Sequence, residues 1–123
     1  MAYSATTAAG KAVQDIISDL PSLIAVAVVD ATSGMALASH SNSPTLNPET
    51  AAAYNAEVVK QQRQALAALG QSDETLEDIL ITLRTQLHLL RVLTDGRRVL
   101  YVAVDCRDTN LGIAREVLRT CEA

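Results

Sequence analysis

Two stretches decide the fold: Leu23-Ile24-Ala25-Val26-Ala27-Val28-Val29-Asp30 and Arg98-Val99-Leu100-Tyr101-Val102-Ala103-Val104. In the first, Ile24, Val26 and Val28 alternate with Leu23, Ala25, Ala27 and Val29. In the second, Leu100, Val102 and Val104 alternate with Val99, Tyr101 and Ala103. Both are rich in β-branched residues, and both are apolar on each parity. A strand that is apolar on each side is covered on each side. The two therefore belong together at the centre of a sheet with helices above and below.

The flanking sequence supplies the rest. Ala31-Thr32-Ser33-Gly34 reads as a turn, and Met35 to His40 as a returning strand. Upstream, Ala9, Ala12, Val13, Ile16, Ile17 and Leu20 form one helical stripe between Thr7 and Leu20, which Pro21 ends. A polar loop containing Pro44 leads to Asn47-Pro48-Glu49. Here an N-cap, a first-turn proline and a carboxylate that complements the dipole predict a helix running to Leu69, stopped by Gly70. Strands are expected at Leu76–Leu83 and Gln86–Leu93, with Asp95-Gly96 turning the second into Arg98–Val104. A last helix is expected from Thr109 to Cys121, with Leu111, Ala114, Val117, Leu118 and Cys121 on one stripe.

The order is thus αββαβββα. Short turns make neighbours of strands 1 and 2, 3 and 4, and 4 and 5, all antiparallel. With strands 1 and 5 central, the sheet order is 2-1-5-4-3. The fold class is an α/β sandwich with a five-stranded antiparallel sheet and helices on both faces. One domain is expected over residues 1–123, with residues 1–6 frayed.

Composition narrows the function. With 49% apolar residues the chain can build a core, but it has no Phe, no Trp and only Tyr3, Tyr54 and Tyr101. Stacking platforms for single-stranded nucleic acid are therefore missing, and a net charge of −4 opposes a phosphate backbone. The longest apolar run, Leu23 to Val29, is too short to span a bilayer. Met1 to Gly10 has no basic residue and reads as no signal peptide. A cytoplasmic protein is expected, with no nucleic-acid partner and no membrane insertion. Cys106 and Cys121 fit no zinc or redox spacing and read as reduced thiols.

No catalytic constellation is present. The phosphate loop GxxxxGK[ST], HExxH and GxSxG are all missing. No catalytic residue, cofactor site or metal site is expected. His88 shares a parity with Leu90 and Val92 and reads as a satisfied, half-buried side chain. The run Asp73-Glu74-Thr75-Leu76-Glu77-Asp78 lacks the ligand alternation of a calcium loop and reads as a solvated edge. Arg91, Arg97 and Arg98 are placed either to pair with it or to form a partner-binding patch, and surface pairing is the expectation.

Two features point to self-association. The middle helix has a wide apolar arc centred on Ala51, Val58, Ala65 and Leu69, broadened by Tyr54 on one side and by Val59 and Leu66 on the other. Asn55 and Gln62 sit inside it, seven residues apart. That spacing fits either a helix–helix contact of fixed register or amides bonded to nearby loop backbone. Glu57, Lys60 and Gln64 lie on the opposite face. The third strand is then an edge carrying Ile79, Leu80, Ile81 and Leu83, with no Lys or Pro to guard it.

Several strings, in this order and spacing, resemble the Roadblock/dynein light chain domain. They are Leu20-Pro21-Ser22-Leu23-Ile24-Ala25 with Val28-Val29-Asp30 and the Ser33-Gly34 turn; Leu76-Glu77-Asp78-Ile79-Leu80-Ile81; Gln86-Leu87-His88-Leu89-Leu90-Arg91; and Asn110-Leu111-Gly112-Ile113-Ala114-Arg115. The resemblance covers roughly Val13 to Arg119. The chain departs from it at Leu87 and near Leu100, where bacterial members often carry an aromatic residue.

The resemblance implies a non-enzymatic module that dimerises through the middle helix and the third strand, joining two sheets. It implies a scaffold for a small Ras-like GTPase, in bacteria one of the gliding or polarity type, whose hydrolysis the dimer can stimulate. Mapped on this chain, the implied dimer interface is Tyr54, Asn55, Val58, Gln62, Ala65, Ile79, Ile81 and Leu83. The partner-facing candidates are Lys60, Arg63 and Gln64. The alternative is a small-molecule sensor of related architecture. It needs a cavity with convergent polar groups, for which Asn55, Gln62 and His88 are the candidates.

Overall fold

The computed structural model describes residues 3–107 and 110–121. The element order is α1 (Ala8–Asp19), β1 (Leu23–Asp30), β2 (Ala36–Ser41), α2 (Pro48–Ala68), β3 (Asp78–Thr82), β4 (Gln86–Val92), β5 (Arg98–Asp105) and α3 (Leu111–Thr120). The sheet runs β2-β1-β5-β4-β3, every pair antiparallel, as the sequence predicts. Capping chemistry sets the helix starts. The Thr7 hydroxyl accepts from the Gly10 N–H at 2.9 Å, and the Asn47 carboxamide accepts from Glu49 and Thr50. Gly70, at φ +71, stops α2. The expected start of the last helix, Thr109, lies outside the described residues; α3 is capped by Asn110.

The central strands separate two cores. Under α1 and α3, Val26, Val28, Leu89, Leu100 and Val102 pack against Val13, Ile16 and Leu118. Under α2 the floor is smaller. Ala25, Ala27 and Ala103 face Ala52, Ala56 and Val59, with Tyr101 the one large aromatic filler. α2 lies across β1 and β2 and reaches β5.

Strand ends differ from expectation by one or two residues; β4 stops at Val92 and not Leu93, and β5 runs on to Asp105 and not Val104. The third strand spans Asp78–Thr82 and not Leu76–Leu83. Leu76 leaves the sheet to pack against the core beneath α2, although the Glu77 carbonyl still accepts from the Val92 N–H. Burying a leucine is worth about 1.5–3 kcal/mol, more than one further ladder bond returns. The second strand is shifted one residue, because the Met35 carbonyl closes the turn by accepting from the Asp30 N–H at 2.9 Å. Among the described residues, no helix is long and apolar enough to cross a membrane.

Candidate functional site

α2 presents two adjacent stripes. The buried one is Ala52, Ala56 and Val59. It is offset from the arc expected from sequence: of that arc's centre, Ala51 packs half-buried against the core, whereas Val58, Ala65 and Leu69 turn away from it. Tyr54 (73% exposed) and Leu69 (72%) stand in solvent, Val58 and Ala65 are exposed, and Gln62 lies with them. Asn55 is half-buried between the stripes. Among the described residues neither amide has a hydrogen-bond partner, so the loop-backbone reading does not describe them.

The sheet continues this surface. Ile79 pairs with Leu90 and Ile81 with His88, and both isoleucines face the α2 side, half-buried. Leu80, opposite Leu89, faces the α3 side and is 42% exposed. Leu83 lies in the turn beyond the strand and is exposed. β3 is the sheet edge, and no Lys, Pro or bulge interrupts it. The bonds Val92 N–H to Glu77 O and Leu83 N–H to Gln86 O set the phase of its ladder. Counting by twos, Ile79 and Ile81 exchange bonds with β4, whereas the N–H groups of Leu80 and Thr82 point to the open edge.

His88 has a partner at each ring nitrogen. Its Nε2 is 2.8 Å from Gln86 Oε1, and its Nδ1 is 3.5 Å from the Tyr101 hydroxyl. Burial pushes the imidazole pKa below its usual value and the Tyr101 phenol up to about 12.

The three partner-facing candidates do not act alike. Lys60 pairs with Glu57 at 3.3 Å on the helix surface, and Gln64 is exposed. Arg63 reaches across to the β4–β5 turn, where it donates to the Gly96 carbonyl at 2.8 Å. Local pattern gives no sign of this tie, because only the folded hairpin brings residue 96 to residue 63. Of the arginines expected to meet the acidic run, Arg91 pairs with Asp78 at 3.4 Å. Arg98 instead pairs with Asp95 of its own turn at 2.8 Å. The Arg97 N–H bonds Asp95 as well.

A cleft of about 550 Å³ opens where residues 72–77 diverge from β4, lined by Arg63, Leu66, Glu74, Leu76, Arg91 and Thr94 among others. Asn55, Gln62 and His88 are not in it. Among the described residues, no group of three or more His, Cys, Asp or Glu is placed to hold a metal ion. Cys106 and Cys121 are thiols, not joined in a disulfide.

No protein-family model and no curated protein matches the chain in sequence. Solved structures do match. MglB of Myxococcus xanthus superposes with a TM-score of 0.80 at 17% identity, over 96% of this chain and 91% of that one. The gliding protein MglB of Thermus thermophilus gives 0.75 at 14% identity, over 98% and 89%. A Roadblock/LC7 domain from Streptomyces avermitilis gives 0.72 at 14% identity, over 89% and 88%. The fold is that of the Roadblock/LC7 domain.

Proposed function

We propose that this chain is a self-associating, non-enzymatic scaffold for a small Ras-like GTPase. The observation that carries the reading is the exposed apolar stripe of α2 beside an unguarded β3 edge. A two-fold axis through that edge pairs β3 with its copy, antiparallel, and makes one ten-stranded sheet. The same axis brings the two α2 stripes together. Tyr54, Asn55, Val58, Gln62, Ala65, Ile79, Ile81 and Leu83 form the seam, and the unpartnered amides of Asn55 and Gln62 fix its register. The GTPase meets the outer face of α2 at Lys60 and Gln64. Arg63 supports that face through the hairpin. The likeness to MglB supports the fold on which this reading rests.

Light scattering tests the first half. The chain mass of 13.1 kDa should appear as roughly 26 kDa, as two-fold symmetry requires. A 13.1 kDa species at micromolar concentration refutes it. Capture from native lysate, with and without a GTP analogue, tests the second half. A GTPase retained in a nucleotide-dependent way supports it, and tight binding of GTP by the purified chain itself overturns it.

The large cleft favours one second reading, a small-molecule sensor. Its ligand would sit between the α2 C-terminal half, residues 72–77 and the β4–β5 turn, near Arg63 and Thr94. A thermal-shift screen that finds a ligand whose effect is lost in Leu66→Trp would favour it.

A further inference from the structure

On the opposite face of the sheet, Arg91, Gly112, Arg115, Glu116 and Arg119 line a second cleft of about 240 Å³. Its charges do not balance. Arg91 Nη1 and Arg115 Nε both bond the same Asp78 oxygen, Oδ2, at 3.4 and 3.1 Å. Arg119 is held by both Glu116 oxygens, at 3.1 and 2.7 Å. Three guanidinium groups thus meet two carboxylates in a chain whose net charge is −4. Each guanidinium has five N–H donors. Arg91 and Arg115 each use one on Asp78, and among the described residues no other acceptor meets either. Gly112 lies one helical turn before Arg115 and adds no side chain, which leaves the cleft open above them.

We propose that this cleft is an oxyanion site, taking a phosphate or carboxylate group between Arg115 and Arg91. A forked guanidinium matches the oxygens of either group, two at a time. Asp78, largely buried, fixes both side chains from beneath, so the site is preformed. Glu116 is the one acidic group in the lining, and Arg119 draws its carboxylate aside. The cleft lies on the α3 side of the sheet, beside the first residue of β3.

The test uses the 123-residue chain labelled with nitrogen-15, at fixed ionic strength. Inorganic phosphate and acetate are titrated separately while the Arg Nε–H and Gly112 amide signals are followed. Saturable shifts at Arg91, Arg115 and Gly112 are expected. Arg115→Gln should weaken binding at least tenfold, Arg115→Lys less, and Arg84→Gln, outside the cleft, not at all. Tighter phosphate than acetate assigns the site to phosphate groups, and the reverse order assigns it to carboxylates. Shifts that never saturate, or that Arg84→Gln weakens as much as Arg115→Gln, are general screening and overturn the proposal.

Discussion

The imidazole of His88 meets the ring of Tyr101 edge-on, with centroids 5.6 Å apart and the phenol oxygen 3.5 Å from Nδ1. Gln86 Oε1 accepts from the other nitrogen, so Nε2 carries a proton, and in the neutral ring the Tyr101 hydroxyl donates to Nδ1. Burial lowers the folded-state pKa of His88 from 6.5. A lowered pKa contributes stability in full above the unfolded value, and that stability is lost as pH falls through the folded value. Thermal melts from about pH 7 to pH 5 should therefore show a loss of stability in the wild type that His88→Gln lacks. Identical pH profiles for the two proteins would discard this role.

The ladder phase separates two proline substitutions in β3. Leu80→Pro removes an N–H that points to the open edge. It should leave the β3–β4 pairing intact but prevent association, giving a folded 13.1 kDa species by light scattering and circular dichroism. Ile81→Pro removes an N–H bonded to β4 and should cost about 1–3 kcal/mol of fold stability by leaving its acceptor unpaired. If Leu80→Pro still associates fully, the interface lies elsewhere.

Arg63 fastens the second half of α2 to the β4–β5 turn. Arg63→Ala should cost about 1 kcal/mol, the net worth of one hydrogen bond. Amide exchange should quicken at residues 62–69 and in the hairpin, with little change in α1 or α3. Unchanged exchange in the hairpin would show that the tie is not maintained in solution.

Gly10 reverses the usual helix rule. Alanine is normally better than glycine inside a helix by about 1 kcal/mol. Here a Cβ at residue 10 would collide with the Ser4 carbonyl, in the turn that also bonds Thr7, and would stand 2.9 Å from the Thr7 hydroxyl. Gly10→Ala should destabilise the chain by roughly 1–3 kcal/mol, the usual scale for overpacking. In a chain that begins after Ser4, the same substitution should be neutral or stabilising. A loss that persists there would locate the cause outside this contact.

The architecture is legible in the sequence because its signals are local. Asn47 caps, Pro21 and Gly70 stop, and the double apolar parity of Leu23–Asp30 and Arg98–Val104 names the centre of the sheet; the caps at Thr7 and Asn110 are seen only in the fold. Which face of α2 enters the core is not legible. Ala65 looks like Ala52 and Ala56 to any hydropathy scale, and only the alanine floor of the sheet chooses between them. The larger Tyr54, Val58 and Leu69 pull the expected centre toward solvent. The third strand is shorter than its pattern for a related reason: Leu76 obeys the strand alternation but finds a better burial beneath α2. The Arg63–Gly96 tie and the Arg91–Asp78–Arg115 cluster join residues distant in sequence, and no spacing rule announces them.

The alanine floor has a last consequence. Ala25, Ala27 and Ala103 meeting Ala52 and Ala56 let α2 sit close to the sheet, yet little greasy surface is hidden there compared with the Leu-, Ile- and Val-rich layer under α1 and α3. Lifting α2 thus forfeits less apolar burial than opening the layer under α1 and α3 would. Where a second copy clasps α2, that copy holds down a lightly anchored helix, and mass action ties its integrity to how much protein is present. For such a chain, dilution alone is the gentlest denaturant.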